Sequence, residues 1–371
     1  MRKFLVLGGA IMAALPFVLA GAAIPERPAV EKAVNYIRTT QQADGGFGGF
    51  GDGQSFDAIY AVRAAGLDPA TFQKDGKSPV DFLRAKAAAQ KKPAEAAKAA
   101  LAARATGVDP KAVGGVDLLA TVAGGLDKTT NRYATDDFSN AIAILGLACT
   151  GNTVPVAAVE AMKKTQLADG GWGFGGASDP DTAAISVQAL LAAKVPVADA
   201  SVAKTLAYFK ATQAKDGGWG FDPEASSASS TAFVVQALIA ANEPVEGAAW
   251  TKSGKTAVTF LLSQQKADGS FEGFDPAFAA NQVVPALAGR TFCNAPGTAI
   301  GNPGPIPPPT ATATASPSPS ASPTATATPR APEPPRTGTG VDSGTSLDGF
   351  VLAGLALLAA TGAGLAATRR R

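Results

Sequence analysis

Asp179 and Asp181 stand two positions apart in Ser178-Asp179-Pro180-Asp181-Thr182-Ala183, at the head of an alanine-rich apolar run. A carboxylate pair there supports two chemistries: a carboxyl held neutral donates a proton, and one held ionised caps a helix that has Pro180 in its first turn. A helix N-terminus stabilises the charged form, so the sequence predicts capping. Little other catalytic equipment is present. The chain has no histidine and two cysteines, which removes Ser-His-Asp and Cys-His arrangements, His-containing metal sites and a thiolate cage. No metal and no cofactor is expected. Polar residues inside apolar runs are the better pointers to a ligand. Aligning VQAL, VQAL and AVRAA places Gln188, Gln236 and Arg63 at equivalent positions, where buried amides and a guanidinium either bridge neighbouring helices or meet a ligand in one shared space. Asp57 and Asp137, near the starts of comparable runs, either cap those helices or pair with Arg63 or a substrate.

The elements that position these residues are announced by a recurring phrase. QQADGGFGGF, QLADGGWGF, QAKDGGWGF and QQKADGSFEGF carry Asp44, Asp169, Asp216 and Asp268, the last three at a period of about 50. Each phrase reads as a helix exit followed by a helix entry: Asp and two small residues make the turn, and an aromatic ring such as Trp172 or Trp219 covers the exposed helix end. A calcium loop fits less well, because the alternating carboxylates it needs are absent. Six pairs of helices follow. Outer runs begin near Ala29, Lys77, Ala112, Pro155, Val197 and Ser253, and inner runs near Ser55, Pro93, Asp136, Asp179, Ser227 and Asp275. The inner runs are apolar around most of their circumference, as helices enclosed on all sides must be. No stretch reads as a strand.

QxxDGGWG followed by DTAxxxxAL resembles the prenyltransferase and squalene-cyclase repeat superfamily. The resemblance covers about Ala29 to Phe292 and implies an all-α (α/α)6 toroid, six inner helices ringed by six outer ones around a central cavity. It does not name a function, since the superfamily includes terpene cyclases, protein prenyltransferase β subunits, cobalamin carriers and complement thioester domains. Prenyltransferases bind zinc through Asp, Cys and His, and the chain lacks His. Complement-type thioesters need Cys-Gly-Glu-Gln, and neither Cys149 nor Cys293 sits in one. Class II cyclases protonate their substrate with the middle Asp of DxDDTA, where this chain has Pro180; Asp179 and Asp181 remain as weak acid candidates. Cyclase cavities are also lined with aromatic rings, and the inner runs offer little beyond Phe56, Tyr60, Phe138, Phe233 and Phe278. The reading leans away from an enzyme.

The flanks differ in composition. Arg2 and Lys3, the apolar run Phe4 to Leu19 and the small residues Ala20 to Ala22 make residues 1–22 an export signal cut by signal peptidase. The toroid then occupies 23–295, a Pro/Thr/Ser-rich disordered stalk 296–346, and a transmembrane helix with a basic tail 347–371. Pro335-Arg336-Thr337-Gly338 is similar to the LPxTG signal that sortases cleave between Thr and Gly, here Thr337 and Gly338, with Pro334 in place of Leu. A net charge of +2 leaves no basic field for nucleic acid. Cys149 and Cys293 end inner helices on opposite sides of a six-fold ring, so they are expected to stay unpaired. The sequence thus describes a cell-surface binding or interaction toroid, anchored to membrane or wall, whose ligand is a small molecule, glycan or protein. The alternatives are a terpene-cyclase-like enzyme acting on an isoprenoid, or a cobalamin-type or glycan-binding toroid.

Overall fold

A computed structural model describes residues 26–294, Pro223 apart. Among them twelve α-helices alternate between two layers. The outer layer comprises α1 (Arg27–Thr39), α3 (Pro79–Lys86), α5 (Leu118–Gly124), α7 (Val156–Lys164), α9 (Ala200–Thr212) and α11 (Ala257–Ser263). The inner layer comprises α2 (Asp52–Ala64), α4 (Pro93–Thr106), α6 (Asp137–Cys149), α8 (Pro180–Ala192), α10 (Ala228–Ala240) and α12 (Pro276–Leu287). Inner helices pack in the order α2, α4, α6, α8, α10, α12, and α12 returns against α2, which closes the ring. The outer helices bury one stripe, as Val30, Ala33, Val34 and Ile37 do in α1. The inner helices are buried almost all round, α8 from Thr182 to Leu190 without a break. Alanines in α4 let the inner wall draw in closely; a Cβ on Gly146 of α6 would strike Ala97. The helical (α/α)6 architecture expected from the repeats is the observed one.

The repeated phrase joins one pair to the next. Gln166 Nε2 donates to Gly170 O of its own turn at 2.9 Å and to Ser201 O of the following outer helix at 2.8 Å. Gln41 reaches Phe72 O, Gln213 reaches Trp250 O, and Gln265 reaches Ala29 O of α1 at 2.8 Å, so the last repeat is tied to the first. The aspartates serve the turn: Asp169 accepts from Gly171 N, and Asp44, Asp216 and Asp268 accept from the matching positions. Trp172 Nε1 donates to Met162 O at 3.0 Å and Trp219 Nε1 to Phe209 O at 2.9 Å, covering carbonyls at the ends of α7 and α9 as the sequence suggested.

Two expectations are corrected. Short strands do occur: β1 (Trp172–Phe174) pairs with β2 (Ala177–Asp179), and β3 (Thr251–Lys252) with β4 (Lys255–Thr256). Gly175-Gly176 and Ser253-Gly254 supply two successive positive φ values at the tips, the requirement of a two-residue hairpin. Cys149 and Cys293 are disulfide-bonded, with Cα atoms 4.7 Å apart. The helices that precede them do lie on opposite sides of the ring, but Gly289, at φ 67°, turns the chain back across its end. Six residues from Leu287 to Cys293 span about 20 Å when extended, enough to cross to the end of α6. The expected export signal, stalk and membrane anchor lie outside the described residues; among those described, no helix is long and apolar enough to cross a membrane.

Gly170 sits at φ 93°, and a Cβ there would lie 2.5 Å from Lys204 O of α9. Gly171 has an ordinary φ and is confined instead by Ser178, whose Oγ a Cβ would meet at 2.5 Å. Gly170→Ala should therefore cost at least about 1 kcal/mol through backbone strain alone. Equilibrium denaturation checks this, and an unchanged midpoint would mean that the turn is not what couples the repeats.

Candidate functional site

The hairpin β1–β2 delivers the chain to α8 with Asp179 as its N-cap, accepting from Thr182 N at 2.7 Å. Capping was expected of one of the two carboxylates, and Asp179 performs it. Asp181, one residue into α8 beyond Pro180, behaves otherwise. Its Oδ1 is sealed from solvent and has no hydrogen-bond partner. Burial, followed by the charge of Asp179, pushes its pKa up to about 7, against a weaker opposing contribution from Ser230 of α10. The sequence expected the helix N-terminus to favour the ionised form of Asp181, and burial, the largest influence on the group, pushes the other way. Asp179 is also raised, first by burial and last by Asp137, although its bonds to Thr182 pull the other way.

The remaining sequence candidates separate. Asp57 does not cap α2; it pairs with Lys98 Nζ of α4 at 2.7 Å and accepts from Gln282 Nε2 of α12 at 3.3 Å, inside the ring. Burial raises its pKa against the pull of Lys98. Asp137 pairs with Arg132 at 2.8 Å and accepts from Thr165 Oγ1, while Asp136 caps α6. Neither carboxylate meets Arg63. The alignment of Arg63 with the two glutamines also fails: counted from the helix start, the position of Gln188 and Gln236 is held in α2 by Tyr60, and Arg63 lies three residues further on, half-buried in the last turn. Gln236 bridges helices, donating to Gln282 O at 3.1 Å.

Gln188 is different. It is 2% exposed, and neither its amide nitrogen nor its amide oxygen has a partner. It lines a cavity of about 540 Å³ at the C-terminal ends of α4, α6, α8 and α10. Leu145, Leu191 and Ile239 supply apolar wall, the Cys149–Cys293 disulfide another part of it, and Arg104 and Lys194 the charge. The segment after α12 is held over this mouth: Arg104 donates to Cys293 O at 2.9 Å, Tyr60 OH donates to Thr291 O, and the Tyr60 ring stacks on Phe292 at 4.7 Å. Sequence reasoning found Gln188 and missed Arg104 and Lys194. A signal for Lys194 was present, since the residue after the end of most inner helices is glycine (Gly66, Gly107, Gly151, Gly289) but Lys194 and Asn242 occupy that place in two repeats. At the opposite mouth, the repeat loops leave Phe174, Phe221 and Phe274 exposed around the helix starts. Among the described residues, no group of three His, Cys, Asp or Glu side chains is arranged to hold a metal ion.

Residues 126–281 match the squalene-hopene cyclase C-terminal domain, and residues 10–65 match the prenyltransferase alpha-alpha toroid domain. No curated protein sequence matches the chain. Among solved structures, the type II terpene cyclase MstE from Scytonema is similar with a TM-score of 0.53 and 15% identity, over 70% of this chain and 97% of that one. A protein from Actinoplanes is similar at TM-score 0.51 and 16% identity, over 71% and 99%. Haptocorrin, in complex with Cbi, is similar at TM-score 0.50 and 15% identity, over 71% and 67%. At these identities the likeness is one of fold. The repeats match family models of the squalene-hopene cyclase and prenyltransferase toroid kind, the resemblance that their motifs suggested.

Asp181 yields a pH prediction. The folded chain keeps its proton up to about pH 7, whereas the unfolded carboxyl releases it near 3.8. The stability it contributes is complete below the unfolded value and is lost as pH rises through the folded one. Asp181→Asn removes that loss, so its stability advantage over wild type should grow between about pH 4 and 7 and level off above. Denaturant titrations across that range read the difference, and a difference independent of pH would show that folding does not shift the Asp181 carboxyl.

Proposed function

We propose that this toroid of the prenyltransferase and squalene-cyclase repeat type is a small-molecule-binding module displayed at the cell surface. Gln188 carries the reading. A buried amide with neither atom satisfied costs about 1 to 3 kcal/mol, and it stands in a cavity whose 540 Å³ falls within the usual size of small-molecule sites. A ligand that hydrogen-bonds the amide returns that cost. The display half of the proposal rests on residues 1–22 and 296–371 as read from sequence, and the Cys149–Cys293 disulfide suits an oxidising compartment.

Acid-initiated cyclisation of an isoprenoid is the second reading, supported by the fold likeness to MstE, a type II terpene cyclase, and by the half-buried Asp181, whose Oδ1 is sealed and unpartnered. Against it, Pro180 stands at the position of the middle Asp, and the cavity lies at the other end of α8, two turns beyond Asp181.

The two readings separate on one preparation. Protein released from the envelope by muralytic digestion should end at Thr337 and, in native mass spectrometry, carry a bound small molecule. Gln188→Leu should raise the melting temperature, because an unsatisfied amide is replaced by an apolar group of similar size, and should lose the ligand. A lowered melting temperature with the ligand retained would make Gln188 a structural bridge and sink the binding site. Conversion of geranylgeranyl diphosphate to a cyclised product that is lost in Asp181→Asn would replace binding with catalysis.

A further inference from the structure

The lining of the cavity is unbalanced in charge. Among the described residues it contains Arg104 and Lys194 and no carboxylate. Three other half-buried cations of the toroid face acids, Lys98 with Asp57, Arg132 with Asp137 and Lys163 with Asp199, whereas Arg63 and Arg290 do not. Arg104 forms no such pair; its guanidinium gives one hydrogen bond to the neutral Cys293 carbonyl and is half-buried beside the cavity. Burial lowers its pKa, with only a small opposing effect from Tyr60. A desolvated guanidinium whose planar fork has donors to spare is suited to a carboxylate or phosphate.

The backbone supports the same conclusion. Lys194 and Asn242 adopt the left-handed conformation, at φ 70° and 57°, where other repeats use glycine. A side chain with a Cβ costs about 1 kcal/mol there, more readily met by Asn than by Lys. Both residues line the cavity. The penalty falls where a side chain is brought to the mouth, and one of the two brings a positive charge.

The geometry points to a binding site for a small amphiphilic organic anion: its charged group lies between Arg104 and Lys194, its apolar body against Leu145, Leu191 and Ile239, and a hydrogen-bonding group on the Gln188 amide. This assignment rests on the small-molecule reading above and goes beyond it by fixing the ligand's charge and the order of its parts. The Arg104 guanidinium, already held by Cys293 O, positions the anion at the mouth beside the Cys149–Cys293 bridge.

N-octanoylglycinate and its uncharged amide, N-octanoylglycinamide, share shape, apolar chain and internal amide and differ in one negative charge, so they serve as probes. Titration of the full chain, followed by saturation-transfer NMR, should show the anion binding at least ten-fold more tightly at low salt, with the advantage shrinking as salt is added. Arg104→Gln should erase the advantage while leaving affinity for the amide near its wild-type value, and Gln188→Leu should weaken both probes. Equal affinity of wild type for the two probes would overturn the anion assignment while leaving the binding site standing. Binding of neither would overturn both. The comparison of probes on wild type needs no variant, so the result stands if Arg104→Gln fails to fold.

Discussion

The toroid depends on one hydrogen-bonding arrangement, a glutamine side chain whose Nε2 is shared between a carbonyl of its own turn and a carbonyl of the next repeat, in its outer helix or in the segment that leads into it. Gln41, Gln166, Gln213 and Gln265 all make it. A helix pair has too little interior to fold alone, and burial becomes sufficient only when pairs stack. The glutamine fixes how they stack. Gln41 and Gln213 are buried, so each of their bonds replaces one that water would have made and a misplaced neighbour leaves a costly orphan. The bond from Gln265 to Ala29 O converts a row of repeats into a ring, and the contact of α12 with α2 is its consequence on the inner wall.

A closed ring has two unlike ends, and the chemistry divides between them. The inner helices start at the long repeat loops, where caps such as Asp179, Asp136, Ser227 and Asp275 satisfy the first amides. Carboxylates consequently gather there, and burial, followed by the charge of Asp179, raises the pKa of Asp181 to about 7. The inner helices end in short turns with little side chain to fill the space, so the cavity opens at that end. The disulfide and the segment after α12 cover part of it.

What could be read from the sequence was what is decided locally. The starts of all six inner helices fall within about three residues of the expected positions, because caps, prolines and the Asp-Gly turn act over a few residues. The roles of Asp169, Trp172 and Trp219 followed for the same reason. What escaped depends on partners distant in the chain. Lys98 was hidden in an alanine run and becomes the partner of Asp57 only when α4 packs on α2. Cys293 reaches Cys149 through a turn that six-fold symmetry does not contain. The acidity of Asp181 reverses the sign expected from its helix, since burial is a property of the assembled ring. Arg63 was misaligned because AVRAA and VQAL match in apolar pattern and differ in distance from the helix start.

Under the proposed reading, Gln188 and Gln236 show how a repeat fold produces a site without altering its frame. They occupy the same place on neighbouring inner helices, lie within the same Val-Gln-Ala-Leu phrase, and are 2% and 0% exposed. Gln236 finds the carbonyl of Gln282 on α12. Gln188 makes no such bond among the described residues, and it lines the cavity. The difference between a structural bridge and a ligand contact is therefore set by the neighbour. A fold that repeats one helix pair can acquire a binding group by leaving one copy of a structural residue without its partner, at a cost that the closed ring bears.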